Sequence, residues 1–133
     1  MILLDTHVLV WLVEGLPVLG KQAPKIADQA LVKDELAVSA ISFWEIALLH
    51  QRRRLILEQP IGAWRTRLLE LGLHEIPVDG EIGIAATSMS NFHPDPADRF
   101  ITATALLSGA PLLTADKQIL EWSGNVRRIN ANR

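Results

Sequence analysis

Residues 2–13 read Ile2-Leu3-Leu4-Asp5-Thr6-His7-Val8-Leu9-Val10-Trp11-Leu12-Val13. Three consecutive apolar residues suit a short strand buried on both faces, and Asp5-Thr6 supplies the polar pair with which a helix opens. The reading is a strand over Ile2-Leu3-Leu4 that passes without a linker into a short helix ending at Val13. An acid therefore stands directly after a buried strand.

The alternation continues downstream. After Gly15, Pro17 and Gly20, residues Ala23, Ile26, Ala27 and Ala30 keep the i, i+3, i+4, i+7 spacing of an amphipathic helix. Leu36-Ala37-Val38-Ser39 is the second strand candidate, followed by a helix from about Ser42 to Arg53. A further helix runs from about Ile61 to Leu71 and stops at Gly72. The strand candidate His74-Glu75-Ile76-Pro77-Val78 is moved towards a sheet edge by its proline. Ile82, Ala85, Ala86 and Met89 form another helical stripe. Asp95-Pro96 begins a helix that carries Phe100, Ile101, Ala103 and Leu107 and ends at Ser108-Gly109. Pro111 to Thr114 is a strand, Lys117 to Trp122 a short helix, and Val126 to Ile129 a last strand. Strands alternating with helices imply βαβ units, hence an α/β fold with a mainly parallel central sheet flanked by helices.

Composition narrows the function classes. A chain of 133 residues is one domain's worth, spanning residues 1–133, because single cores split only beyond roughly 250 residues. The absence of cysteine excludes thiolate zinc sites, redox dithiols, cysteine nucleophiles and disulfide frameworks. A formal charge of −2 excludes a strongly cationic nucleic-acid surface while leaving room for a local basic patch. No lysine or arginine precedes the apolar start and Asp5 interrupts it, so neither a secretory signal nor a membrane span is expected. The expected location is the cytoplasm.

Four acids stand out against that background. In a doubly wound sheet, sites form outside the carboxyl ends of the strands, where helix N-termini also point. Asp5 follows the first strand, Glu45 lies in the first turn of the helix after the second, Asp98 in the first turn of the Asp95-Pro96 helix, and Asp116 after Leu112-Leu113-Thr114. Each also fits an ordinary capping role: Ser42-Phe43-Trp44-Glu45 matches a capping box, Asp98 suits a helix N-terminus, and Asp5 and Asp116 suit N-caps. Jointly, four carboxylates on one rim repel one another and call for a cation. Oxygen ligands without cysteine or paired histidines select a hard ion, Mg2+ or Mn2+, the usual apparatus for phosphodiester hydrolysis.

The segments LLDTHVLVW, SAISFWEIA, DPADRFITATAL and LLTAD together resemble a PIN-domain ribonuclease, specifically the VapC-type toxin of type II toxin–antitoxin pairs. The similarity extends from Met1 to about Arg128. It implies a single PIN domain and Mg2+-dependent endonucleolytic cleavage of RNA by an activated water, with Mn2+ able to substitute. Asp5, Asp98 and Asp116 would hold the metal, Glu45 would ligate it or position the water, and Thr114 would orient a water or an acidic side chain. Thr6 matches the small polar residue after the first acid. Ala97 departs from the larger apolar residue usual in this subgroup, which is expected to loosen local packing. The resemblance also implies a homodimer and an antitoxin that covers the site or a nearby hydrophobic groove. The helices from Ala23 to Leu49 are the expected place for surplus apolar surface. A standalone RNA-processing nuclease and a non-catalytic PIN-like binding module are the alternatives.

Other residues add less. Arg52, Arg53 and Arg54 follow the Glu45 helix and suit either RNA phosphates, a partner or the helix dipole; Arg65 and Arg67 could extend them. Arg99, beside Asp98, is placed to touch substrate or to pair with a nearby acid. His7, His50, His74 and His93 lack zinc-type spacing, and His7 is expected to turn away from the strand end on its short helix. Trp11, Trp44, Trp64 and Trp122 fall in helical segments and suit core or interface. A phosphoaspartate fold is disfavoured, because His7 occupies the place where a phosphatase of that kind needs its second acid. Setting aside the four proposed ligands leaves eleven acids against thirteen bases, so the apparent acidity resides in the proposed site.

Overall fold

In the computed structural model, which describes residues Met1–Arg133, five strands form one sheet. They are β1 (Ile2–Leu4), β2 (Leu36–Ser39), β3 (His74–Ile76), β4 (Leu112–Thr114) and β5 (Arg128–Asn130), in the order β3-β2-β1-β4-β5. Every pairing is parallel, with Leu3 opposite both Ala37 and Leu112. The third strand stops at Ile76, before Pro77, and takes an edge. The last strand begins two residues later than its sequence pattern suggests.

Side-chain alternation along these short strands divides the core in two. Leu4, Leu36, Val38 and Leu113 face one layer, built from α1 (Thr6–Val13), α2 (Gln22–Val32), α3 (Ala40–Gln51) and α4 (Ile61–Glu70). Leu3, Ala37 and Leu112 face the other, built from α5 (Gly80–Thr87), α6 (Pro96–Ser108) and α7 (Lys117–Glu121). Leu3, Leu4, Leu112 and Leu113 are 0–1% exposed, and burying each such side chain stabilises the fold by about 1.5–3 kcal/mol.

Local signals mark most helix ends. Asp5 Oδ1 accepts the Thr6 amide at 2.8 Å, Asp95 caps α6 with Pro96 at its first position, and Gly109 closes that helix at φ 69°. One difference from the sequence reading bears on the site. The helix after β2 starts at Ala40 with Ser39 as its N-cap, so the expected capping box at Ser42–Glu45 does not form. Ser42 instead lies buried inside α3, where its Oγ accepts the Thr6 hydroxyl at 2.8 Å. No helix is long and apolar enough to cross a membrane.

The strand order carries the functional consequence. From β1 the chain builds outward to β2 and β3, then returns to the other side of β1 for β4 and β5. The switch point lies between β1 and β4, and the crevice outside their carboxyl ends is where such sheets bind ligands.

Candidate active site

That crevice is built by Asp5 and Thr114. Asp5 is 3% exposed and Thr114 fully buried. The Thr114 hydroxyl donates to Asp5 Oδ2 at 2.7 Å and accepts the Asp116 amide at 3.0 Å. Both Asp5 oxygens are thus partnered, yet burial still pushes its carboxyl above the ordinary 3.8, with Asp116 adding repulsion.

The other acids arrive on helix starts. Asp98 occupies the first turn of α6, where its amide donates to Asp95 Oδ1 at 3.0 Å. Asp116 caps α7 by accepting the Gln118 amide at 2.7 Å. Glu45 stands in the second turn of α3 rather than the first, because that helix begins at Ala40. The Thr6 hydroxyl donates to Ser42, and Glu45 Oε1 is buried with no hydrogen-bond partner. Burial raises the Glu45 carboxyl above its ordinary value of 4.5, against the pull of Thr6 and His7.

Asp98 feels the cluster most strongly. Its carboxyl is pushed from 3.8 up to about 8, first by burial and then by Asp5, Asp95, Asp116 and Glu45. Without a counter-charge these acids cannot all ionise. The four sequence-predicted acids therefore converge on one centre, and two of them keep their capping roles: Asp5 and Asp116 cap helices and face the crevice at once.

The crevice opens into a cleft of about 600 Å3 with no hydrophobic residue in its wall. Two histidines line it. His7 is exposed on the rim beside Glu45 and Asp98, so it faces the site rather than turning away from it. His93 has no zinc-type partner in the sequence, yet its Nε2 lies 3.3 Å from Asp98 Oδ2. Ligand atoms of His93, Asp98 and Asp116 all lie within 4.8 Å of one another. The pentapeptide His93–Ala97 before Asp98 was the available signal, but only the loop's fold gives it meaning.

Arg99 corrects a second expectation. Its guanidinium touches neither the cleft nor an acid. It donates to the backbone carbonyls of Ala86 at 2.9 Å, Phe92 at 2.8 Å and His93 at 3.0 Å, clamping the loop ahead of α6. Arg52, Arg53 and Arg54 are exposed, and α3 carries them away from the carboxyl rim. Seven residues separate Glu45 from Arg52, roughly 10 Å along a helix, so the structure does not bring them to the acids. Arg65 is paired with Glu75 at 2.7 Å, outside the cleft. Ala97 is 2% exposed. Trp64 belongs to the core, whereas Trp44 is 53% exposed on α3.

A second concavity, about 630 Å3, lies between α1, α2 and α4 and is mostly apolar, with Leu12, Leu16, Pro24, Leu31 and Leu68 in its wall. It overlaps the Ala23–Leu49 region expected to carry surplus apolar surface through α2 and Leu36 of β2, and not through α3.

Fold and site define a class: a doubly wound domain with acids from four segments meeting at the switch point. The sequence profile of the PIN domain matches residues 2–124, and the chain belongs to the PIN domain family. Within it, the chain is a homologue of Ribonuclease VapC22 of Mycobacterium tuberculosis, with 38% identity over 121 residues, 89% of this chain and 88% of that protein. Solved structures agree on the fold. VapBC2 from Rickettsia felis, bound to a DNA fragment from its promoter, superposes with a TM-score of 0.72 at 16% identity over 98% of both chains. DNA-bound VapBC from Salmonella typhimurium gives 0.72 at 14% identity, over 97% of this chain and 96% of that one. FitAcB from Neisseria gonorrhoeae gives 0.68 at 22% identity over 98% of both.

Proposed function

We propose that this protein is a metal-dependent endoribonuclease and the toxin of a type II toxin–antitoxin pair. The observation that carries this proposal is the convergence of Asp5, Glu45, Asp98 and Asp116 at the switch point, in a chain homologous to a ribonuclease. The donor set fits a hard divalent ion, because carboxylate oxygens crowd together and Glu45 Oε1 is buried without a partner. Asp98 and Asp116 would hold the ion, with Asp5 supplying negative charge from beneath. When bound, Mg2+ or Mn2+ supplies charge to the phosphoryl oxygens and lowers the pKa of a coordinated water.

The protein's own groups do the rest. Glu45 lines the cleft and positions the attacking water or takes its proton. Thr114 holds Asp5 in one rotamer, so the deepest acid does not reorient during turnover. The wide polar mouth leaves room for a bent single strand, with His7 and Gln118 on its rim.

The apolar concavity supports the toxin half of the proposal. A mostly apolar concavity of about 630 Å3 has the size and lining of a binding site, and the similar solved structures are VapBC complexes. We read it as the seat of an antitoxin segment, and self-association into a homodimer belongs to the same proposal.

The test is RNA cleavage by protein purified away from host nuclease and antitoxin. Wild type should cut with Mg2+ or Mn2+ and stop with EDTA, while Asp5→Asn and Asp98→Asn should be inactive. Equal cutting by both variants would refute the site.

A further inference from the structure

We propose that His93 is a direct nitrogen ligand of the divalent ion, making the centre a mixed nitrogen and oxygen site that favours Mn2+ over Mg2+. The proposal rests on the metal-dependent reading above and extends it to a residue outside the four acids.

The first ground is geometric. His93 Nε2 and Asp98 Oδ2 are 3.3 Å apart, close to the roughly 3 Å that separates neighbouring ligands about 2.1 Å from one ion. The nearest ligand atoms of His93, Asp98 and Asp116 fit within 4.8 Å. Three residues from two segments therefore present donors to one point.

The second ground is what His93 lacks. Its side chain is 13% exposed, and its Nε2 is buried without a hydrogen-bond partner. The Asp98 oxygen is near enough to accept a proton from Nε2 but lies off the hydrogen-bond line, so the pair is not a well-formed ion pair. With no protein donor or acceptor committed to it, Nε2 is free to offer its lone pair to a cation held by Asp98 and Asp116.

The third ground is preorganisation. The ring stacks on Phe92 at 4.5 Å, and Phe92 meets Trp122 edge-on at 5.1 Å. Trp122 Nε1 donates to the Ser90 carbonyl at 2.9 Å, while Arg99 holds the His93 carbonyl at 3.0 Å. That packing holds the ring beside Asp98 before any ion binds. An imidazole donor favours Mn2+ over Mg2+, which prefers oxygen.

The experiment is Mn2+ and Mg2+ titration calorimetry with pulsed EPR of the Mn2+ complex, on wild type, His93→Gln, His93→Ala and His7→Gln. Wild type and His7→Gln should show 14N coupling of a bound imidazole, and both His93 variants should lose it. Their Mn2+ affinity should fall at least about tenfold, as loss of even an outer partner can cause, with a smaller change for Mg2+. Circular dichroism melts establish that the variants are folded, and the wild-type spectrum needs no variant. Mn2+ bound by wild type without nitrogen coupling, or coupling lost only in His7→Gln, overturns the His93 assignment and leaves the metal reading standing. No Mn2+ binding by wild type overturns both.

Discussion

Thr114 Oγ1 and Asp5 Oδ2 meet at 2.7 Å across 109 residues of chain. The bond ties the ends of the two strands that flank the switch point, and the same hydroxyl accepts the Asp116 amide. One buried hydroxyl thereby fixes two of the four acids.

Replacing Thr114 by valine keeps the shape and removes the hydroxyl. Asp5 Oδ2 and the Asp116 amide then lose their partner, at a cost of about 1–3 kcal/mol. Urea denaturation should show that loss, and cleavage should fall with it. Thr114→Ser should retain most of both.

Asp98 gives the apo protein a defined pH dependence. Its folded carboxyl titrates at about 8 against an ordinary 3.8. Between those values the native state holds a proton that the unfolded chain has released, so stability falls as pH rises through that window. Thermal melts of metal-free protein should decline from pH 5 to pH 8, Asp98→Asn should flatten the slope, and added Mn2+ should reverse the decline at the upper end.

Function and stability are in opposition at this centre. Asp98→Asn removes a carboxylate that burial and four neighbours disfavour, so its metal-free melting temperature at neutral pH should rise by about 4 °C or more. Its nuclease activity should vanish. A variant both inactive and less stable would show that the acid serves the fold instead.

Arg99→Lys should weaken the loop without touching an acid. Lysine cannot reach three carbonyls with one planar fork, and losing even one charge-assisted hydrogen bond costs about 1.5–3 kcal/mol. Hydrogen exchange should quicken over residues 86–93, and Mn2+ affinity should fall as His93 is freed.

Much of this site was legible because its acids sit at boundaries that sequence marks well. Asp5 and Asp116 follow short apolar strands, and Asp95-Pro96 announces the helix that carries Asp98. Glu45 was found on the right helix but in the wrong turn. Ser39 and Ser42 are both capable N-caps three residues apart, and the choice was made by packing: Ser39 ends β2, while Ser42 is drawn inward to Thr6. The surroundings of His93 and Arg99 were not legible, because they are set by the loop before α6, which folds around Phe92 and Trp122. Nothing in their spacing distinguishes a clamp from a substrate contact.

The most direct test of hydrolysis at the acidic centre is cleavage of a defined RNA in 18O-enriched water, with mass spectrometry of the product ends. A metal-activated water should leave one solvent oxygen in each newly formed phosphate monoester, and Asp98→Asn should leave no product. Ends carrying 2′,3′-cyclic phosphate without solvent oxygen, or equal product from Asp98→Asn, would contradict the account.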